Sequence, residues 1–136
     1  MAIYLPEVLP VFAPDEYKLH FAQHNGTEEP LDVFARSREE WQGWQEYRPE
    51  RDEFNRCFIF SLARIYREPG EWLFGGIYRV LERHSDRYVV ELTRQAEGFI
   101  GRLKLHYSHS LPIRANLETY YRSFEVVEIL REPYSG

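Results

Sequence analysis

Between Trp41 and Arg56 the chain sets four aromatic rings (Trp41, Trp44, Tyr47 and Phe54), three arginines and one asparagine within 16 residues. These residue types suit a flat ligand that offers hydrogen bonds. Rings stack on it, a carboxamide reads a donor–acceptor edge, and a guanidinium reaches a phosphate. The spacing nominates Trp41, Trp44, Tyr47, Arg48, Phe54, Asn55 and Arg56 as a ligand or base pocket. A structural reading competes with it. From Arg36 to Arg56 five arginines meet six acids, so ion pairing and core filling would employ the same residues.

A second set lies downstream. Gly98 to Leu117 contains no acid, yet holds Arg102, Lys104, His106, His109 and Arg114. Strand alternation puts Arg102, Lys104 and His106 on one face and Leu103, Leu105 and Tyr107 on the other. That stripe, with Arg114, is the candidate for phosphate contacts to double-stranded DNA, plain or modified. The competing reading is an ordinary solvated strand face. Arginine outnumbers lysine 15 to 2. Codon preference accounts for that bias, and so does a need for bidentate contacts to phosphate and base edges. The net charge of −5 argues against loose, charge-driven binding to nucleic acid.

Other chemistry is sparse. Cys57 is the single cysteine, so no internal disulfide forms and a cytoplasmic setting is expected. His20, His24, His106 and His109 lack cysteine or carboxylate partners at zinc spacing, so no metal is expected, and no cofactor. Asp86, Glu91 and Thr93 only faintly resemble a nuclease acid pair. There is no Ser–His–Asp signature, no phosphate-cradling glycine loop and no cysteine-nucleophile motif. No catalytic residue is assigned; the pattern is that of a reader rather than a chemist.

The elements that would position these groups follow from patterning. Residues 1–16 read as an extended lead-in marked by Pro6, Pro10 and Pro14. One domain, residues 17–136, follows; the chain is long enough for one core and too short for two. Tyr17–Phe21 alternates as a strand, and Leu31–Ala35 reads as another. Ser37 followed by Glu40 forms a capping-box pattern for a short helix carrying Trp41, Trp44 and Tyr47, limited by Pro49. Strands are expected at Phe58–Leu62, Trp72–Leu81, Tyr88–Leu92, Phe99–Tyr107 and Phe124–Leu130. A short helix fits Leu117–Ser123. Gly75-Gly76 inside a strand signals a bulge or another backbone passing close. The sum is a β-rich α+β domain: a small curled antiparallel or mixed sheet, or an open barrel of PUA-like type, with one or two short helices. No apolar run is long enough to span a bilayer, so no membrane partner is expected.

Seven phrases in order carry a resemblance. They are Tyr17-Lys-Leu-His-Phe21, Pro30-Leu-Asp-Val-Phe34, Glu40-Trp-Gln-Gly-Trp44, Asp52-Glu-Phe-Asn-Arg56, Ile59-Phe-Ser-Leu62, Trp72-Leu-Phe-Gly-Gly76, and Glu128-Ile-Leu130 with Pro133-Tyr-Ser-Gly136. Together they resemble the amino-terminal region of bacterial GIY-YIG nuclease family proteins, in which the nuclease domain lies beyond the position of Gly136. The resemblance implies an accessory domain of a restriction or defence endonuclease, recognising DNA or a modified base. The alternative is a protein- or small-ligand-sensing domain that regulates the nuclease. A weaker alternative makes the chain itself a divergent nuclease, since it contains Gly76-Ile77-Tyr78 and Phe99-Ile100-Gly101. Twenty residues separate those triplets, much more than in that family, and the second has Phe in place of Tyr. They read as strand sequence. Arg114 and Glu118 would have to supply that nuclease's arginine and metal-binding glutamate.

Overall fold

A computed structural model describes residues 1–22, 29–46, 56–65, 68–109 and 115–134. It is a mixed α+β fold, rich in sheet. Seven strands form one sheet that does not close, in the order β6 (Ala115–Asn116), β1 (Tyr17–Ala22), β2 (Phe58–Arg64), β3 (Glu71–Arg83), β5 (Leu103–His106) and β7 (Glu125–Ile129), with β4 (Tyr88–Leu92) paired to β3. Four short α-helices accompany it among the described residues, where the sequence suggested one or two.

The chain begins with helix α1 (Leu5–Val8), not with a purely extended lead-in. Pro6 sits in the first turn, where its missing N–H is no loss. Leu5, Leu9 and Val11 are buried in the core. The buried Tyr121 hydroxyl donates to the Leu9 carbonyl at 2.6 Å and accepts the Val11 N–H at 2.7 Å. Proline in a first turn does not prevent a helix, and Leu5, Leu9 and Val11 draw this segment onto the core.

Strand β1 (Tyr17–Ala22) alternates as its sequence requires, with Tyr17, Leu19 and Phe21 buried. The expected strand at Leu31–Ala35 is helix α2 (Pro30–Arg36). Pro30 starts it, Asp32 lies in the first turn and Arg36 in the last, both favourable for the helix dipole. Leu31 and Phe34, three apart, share the buried stripe. Helix α3 (Arg38–Glu46) then starts as expected: the Ser37 hydroxyl accepts the Glu40 N–H at 3.2 Å. The Glu40 carboxylate turns instead to Arg36, at 2.6 Å, so only half of the capping box forms.

Strand β2 (Phe58–Arg64) runs parallel to β1, from Tyr17↔Phe58 to Ala22↔Ala63. A β–α–α–β crossover thus lays α2 and α3 between parallel neighbours. Strand β3 (Glu71–Arg83) is antiparallel to β2 and serves two partners. Its second half pairs with β4 (Tyr88–Leu92), and Glu71–Leu73 pair with β5 (Leu103–His106). The register with β2 shifts between Ser61 and Leu62, opposite Gly76 and Phe74, leaving Gly75 as the bulged residue. The expected strand over Phe99–Tyr107 is shorter. Glu97–Phe99 form a 3-10 turn, and Gly101, at φ +74°, breaks the extended run before β5. The short β6 (Ala115–Asn116), not anticipated, pairs with Lys18 and Leu19. Helix α4 (Leu117–Tyr120) and strand β7 (Glu125–Ile129) complete the fold near their expected places. Trp41, Phe60, Phe74, Tyr78 and Phe124 are among the largest wholly buried side chains.

Candidate functional site

Helix α3 is tied to β1, β3 and β4 by polar contacts that the sequence did not announce. Gln45 is buried and its Oε1 lies 2.5 Å from His20 Nδ1 on β1. Its Nε2 also donates to the Trp41 carbonyl at 3.3 Å. Gln42 Nε2 donates to the Val90 carbonyl on β4 at 3.2 Å. Trp41 Nε1 donates to the Gly75 carbonyl at 3.2 Å. The bulge brings that carbonyl to the indole, and the missing Cβ of Gly75 makes room for it. A Cβ there would stand 2.9 Å from Trp41 Cζ2 and Nε1 and 3.0 Å from Ser61 Oγ. Ser61 Oγ is buried with no hydrogen-bond partner among the described residues.

This geometry divides the aromatic cluster. Trp41 is 0% exposed and meets Phe34 edge-on, with centroids 5.5 Å apart. It is a core residue, wholly buried beneath Trp44. Trp44 is half-buried and stacks on Trp41, with centroids 6.0 Å apart and planes at 27°. The neighbouring Gly43 is exposed, and among the described residues a Cβ there meets nothing within 4 Å. Trp44 is therefore an oriented ring at an open helix surface, held from beneath. Tyr47, Arg48, Phe54 and Asn55 lie outside the described residues.

Arg56 is held elsewhere. Its guanidinium makes a bidentate pair with Glu118, at 2.6 and 2.9 Å, and donates to the Tyr17 carbonyl at 3.3 Å. The hydrogen bond from Arg56 holds the Glu118 carboxyl below the ordinary carboxylate range. Both ends of this pair are committed to one another.

The alternation in β5 is as expected: Leu103 and Leu105 are buried, while Lys104 and His106 lie on the other face. The stripe is not free, however. Lys104 Nζ is 2.5 Å from Glu68 and 3.9 Å from Glu71, and Glu128 is its cross-strand partner on β7. The hydrogen bond to Glu68 raises the Lys104 pKa above its ordinary value. His106 is opposite Glu71 on β3 and Glu125 on β7. Arg102 donates from Nε to the Leu130 carbonyl at 2.8 Å and from a terminal nitrogen to the Gly98 carbonyl at 2.6 Å. The acids missing from the local sequence are supplied by neighbouring segments. Arg114 lies outside the described residues.

The Gly76-Ile77-Tyr78 triplet lies within β3, with Ile77 and Tyr78 buried. The Tyr78 hydroxyl donates to the Gly75 carbonyl at 3.5 Å, and burial pushes its pKa far above the ordinary tyrosine value. The triplet Phe99-Ile100-Gly101 spans the turn before β5. Among the described residues, no three His, Cys, Asp or Glu side chains are grouped to hold a metal ion. No helix of the described residues is long and apolar enough to cross a membrane.

Comparison with known protein families, curated proteins and solved structures gives no match.

Proposed function

We propose that this chain is a recognition module for an attached nuclease of the GIY-YIG type. It reads a DNA base, plain or modified, through the half-exposed Trp44 face of helix α3. One observation carries the reading: Trp44 is stacked on the core residue Trp41 and stands beside the open surface at Gly43. A ring fixed in that way loses little freedom when a base stacks on it. The aromatic, asparagine and arginine residues that follow α3 are of the types that read a base edge. The link to a nuclease rests on the ordered phrases that resemble the amino-terminal region of that family.

A second reading, sensing of a protein or small ligand, is favoured by a different observation. Lys104 and Arg56 are paired with acids, and Arg102 is bonded to backbone carbonyls. Phosphate contact at Lys104 would require leaving Glu68 and Glu71.

Gel shifts with plain and base-modified duplexes, at low and moderate salt, separate the two. A base reader prefers one duplex over another at both salt concentrations. Equal failure to bind every duplex at low salt removes the DNA reading and leaves the sensing one.

A further inference from the structure

Helix α3 carries Gly43 in its interior, where glycine weakens a helix relative to alanine. Gly43 has neither of the reasons that fix other glycines of this fold. It holds helical backbone, unlike Gly76 at φ +114°. Its missing Cβ makes room for no neighbour among the described residues, unlike that of Gly75. What remains is a gap in the exposed side of α3, one residue from the half-buried Trp44.

Successive helical residues lie about 100° apart round the axis, and residues three or four apart are neighbours. Trp41 and Gln45 are turned to the core, so Gly43 comes round to the solvent side, with Trp44 between the two. Glu39, Glu40 and Glu46 stand three or four positions from Gly43 and so surround it on the helix surface. Glu40 is engaged by Arg36 at 2.6 and 3.0 Å. Like charges set side by side are unfavourable, so a duplex over this face keeps its phosphates away from the carboxylates. The group that can reach Gly43 is the base itself.

We propose that Gly43 is a specificity-determining residue: without a side chain there, a base, or a substituent on it, lies against the helix backbone while it stacks on Trp44. This rests on the base reading proposed above, and it names the part of the DNA admitted at Gly43 as a base rather than a phosphate.

The test measures melting temperature and duplex affinity of the full chain and of Gly43→Ala, Gly43→Leu, Gly98→Ala and Trp44→Ala. The duplexes are plain, or carry N6-methyladenine or 5-methylcytosine. Alanine and leucine form helix better than glycine, so both Gly43 variants should melt at or above the parent temperature. Their affinity for the preferred duplex should nevertheless fall, by about tenfold or more for Gly43→Leu and by less for Gly43→Ala. Preference among the duplexes should change too, because the new side chain meets the base. Gly98, in the turn Glu97–Phe99, also has nothing within 4 Å of its Cβ position among the described residues, and Gly98→Ala should bind as the parent does. Unchanged affinity in Gly43→Leu, with affinity lost in Trp44→Ala, overturns the role of Gly43 and leaves the base reading standing. Unchanged affinity and preference in Trp44→Ala overturn both. Equal losses for every duplex in Gly43→Leu, a similar loss in Gly98→Ala, or early melting of Gly43→Leu each overturn the role of Gly43.

Discussion

Trp41 and Gly75 are built for one another: the indole N–H donates to the Gly75 carbonyl at 3.2 Å, and the same indole fills the space where a Gly75 side chain would begin. This contact ties helix α3 to the bulge of β3. It fixes the ring on which Trp44 stacks.

Two glycine substitutions should therefore differ in sign. Gly75→Ala places a methyl group against the indole and Ser61 and should destabilise the fold by about 1–3 kcal/mol. Gly43→Ala, in open space within α3, should stabilise it by about 0.5–1 kcal/mol through helix propensity. Urea unfolding of both variants checks this. Equal effects would mean that α3 does not sit on the bulge as described.

The first 16 residues should behave as part of the domain. Tyr121→Phe removes the hydroxyl that bonds both Leu9 and Val11. Two buried backbone groups then lose a partner, and about 1–3 kcal/mol of stability should go with them. An unchanged melting temperature would show that this segment is not anchored through Tyr121.

The Arg56–Glu118 pair makes stability depend on acid pH. The folded-state pKa of Glu118 lies below its ordinary 4.5, so the unfolded chain binds a proton first as pH falls. The pair's contribution is full above about pH 4.5 and is lost as pH falls through the lower folded value. Glu118→Gln should therefore be less stable than the parent by a constant amount at neutral pH. Below pH 4.5 the gap should narrow, as followed by urea unfolding across pH. A gap that stays constant down to the acid transition would contradict the pairing.

Much of the sheet was legible in the sequence, because alternation at Tyr17–Phe21, Phe58–Leu62 and Tyr88–Leu92 is a local signal. Gly75-Gly76 announced the bulge in the same way. Leu31–Ala35 misled, since a short apolar run does not separate strand from helix, and Pro30 in the first turn decided for helix. The site was less legible. That Trp41 is core and Trp44 half-exposed follows from which face of α3 meets the sheet, and the contacts to His20, Gly75 and Val90 set that face. The surroundings of the basic stripe were illegible for a related reason: Glu68, Glu71, Glu125 and Glu128 approach it from other segments.

That neutralisation has a measurable consequence. A free phosphate contact adds about one unit to the slope of log affinity against log salt. Lys104→Ala should change the slope for duplex binding by well under about one unit, because Lys104 is already paired with Glu68. A loss of about one unit would show that Lys104 leaves its partners to contact DNA.

The most direct test of the central claim compares Trp44→Ala with Trp41→Ala, measuring melting temperature and duplex affinity on the same preparations. Trp41→Ala empties the core and should cost about 3–5 kcal/mol of stability. Trp44→Ala should stay folded, with a small drop in melting temperature. A stacking ring contributes about 1–3 kcal/mol per base, so its affinity for the preferred duplex should fall about tenfold or more. Its discrimination between duplexes should fall as well. A folded Trp44→Ala variant with the parent's affinity and the parent's preference would contradict the claim that α3 reads the ligand.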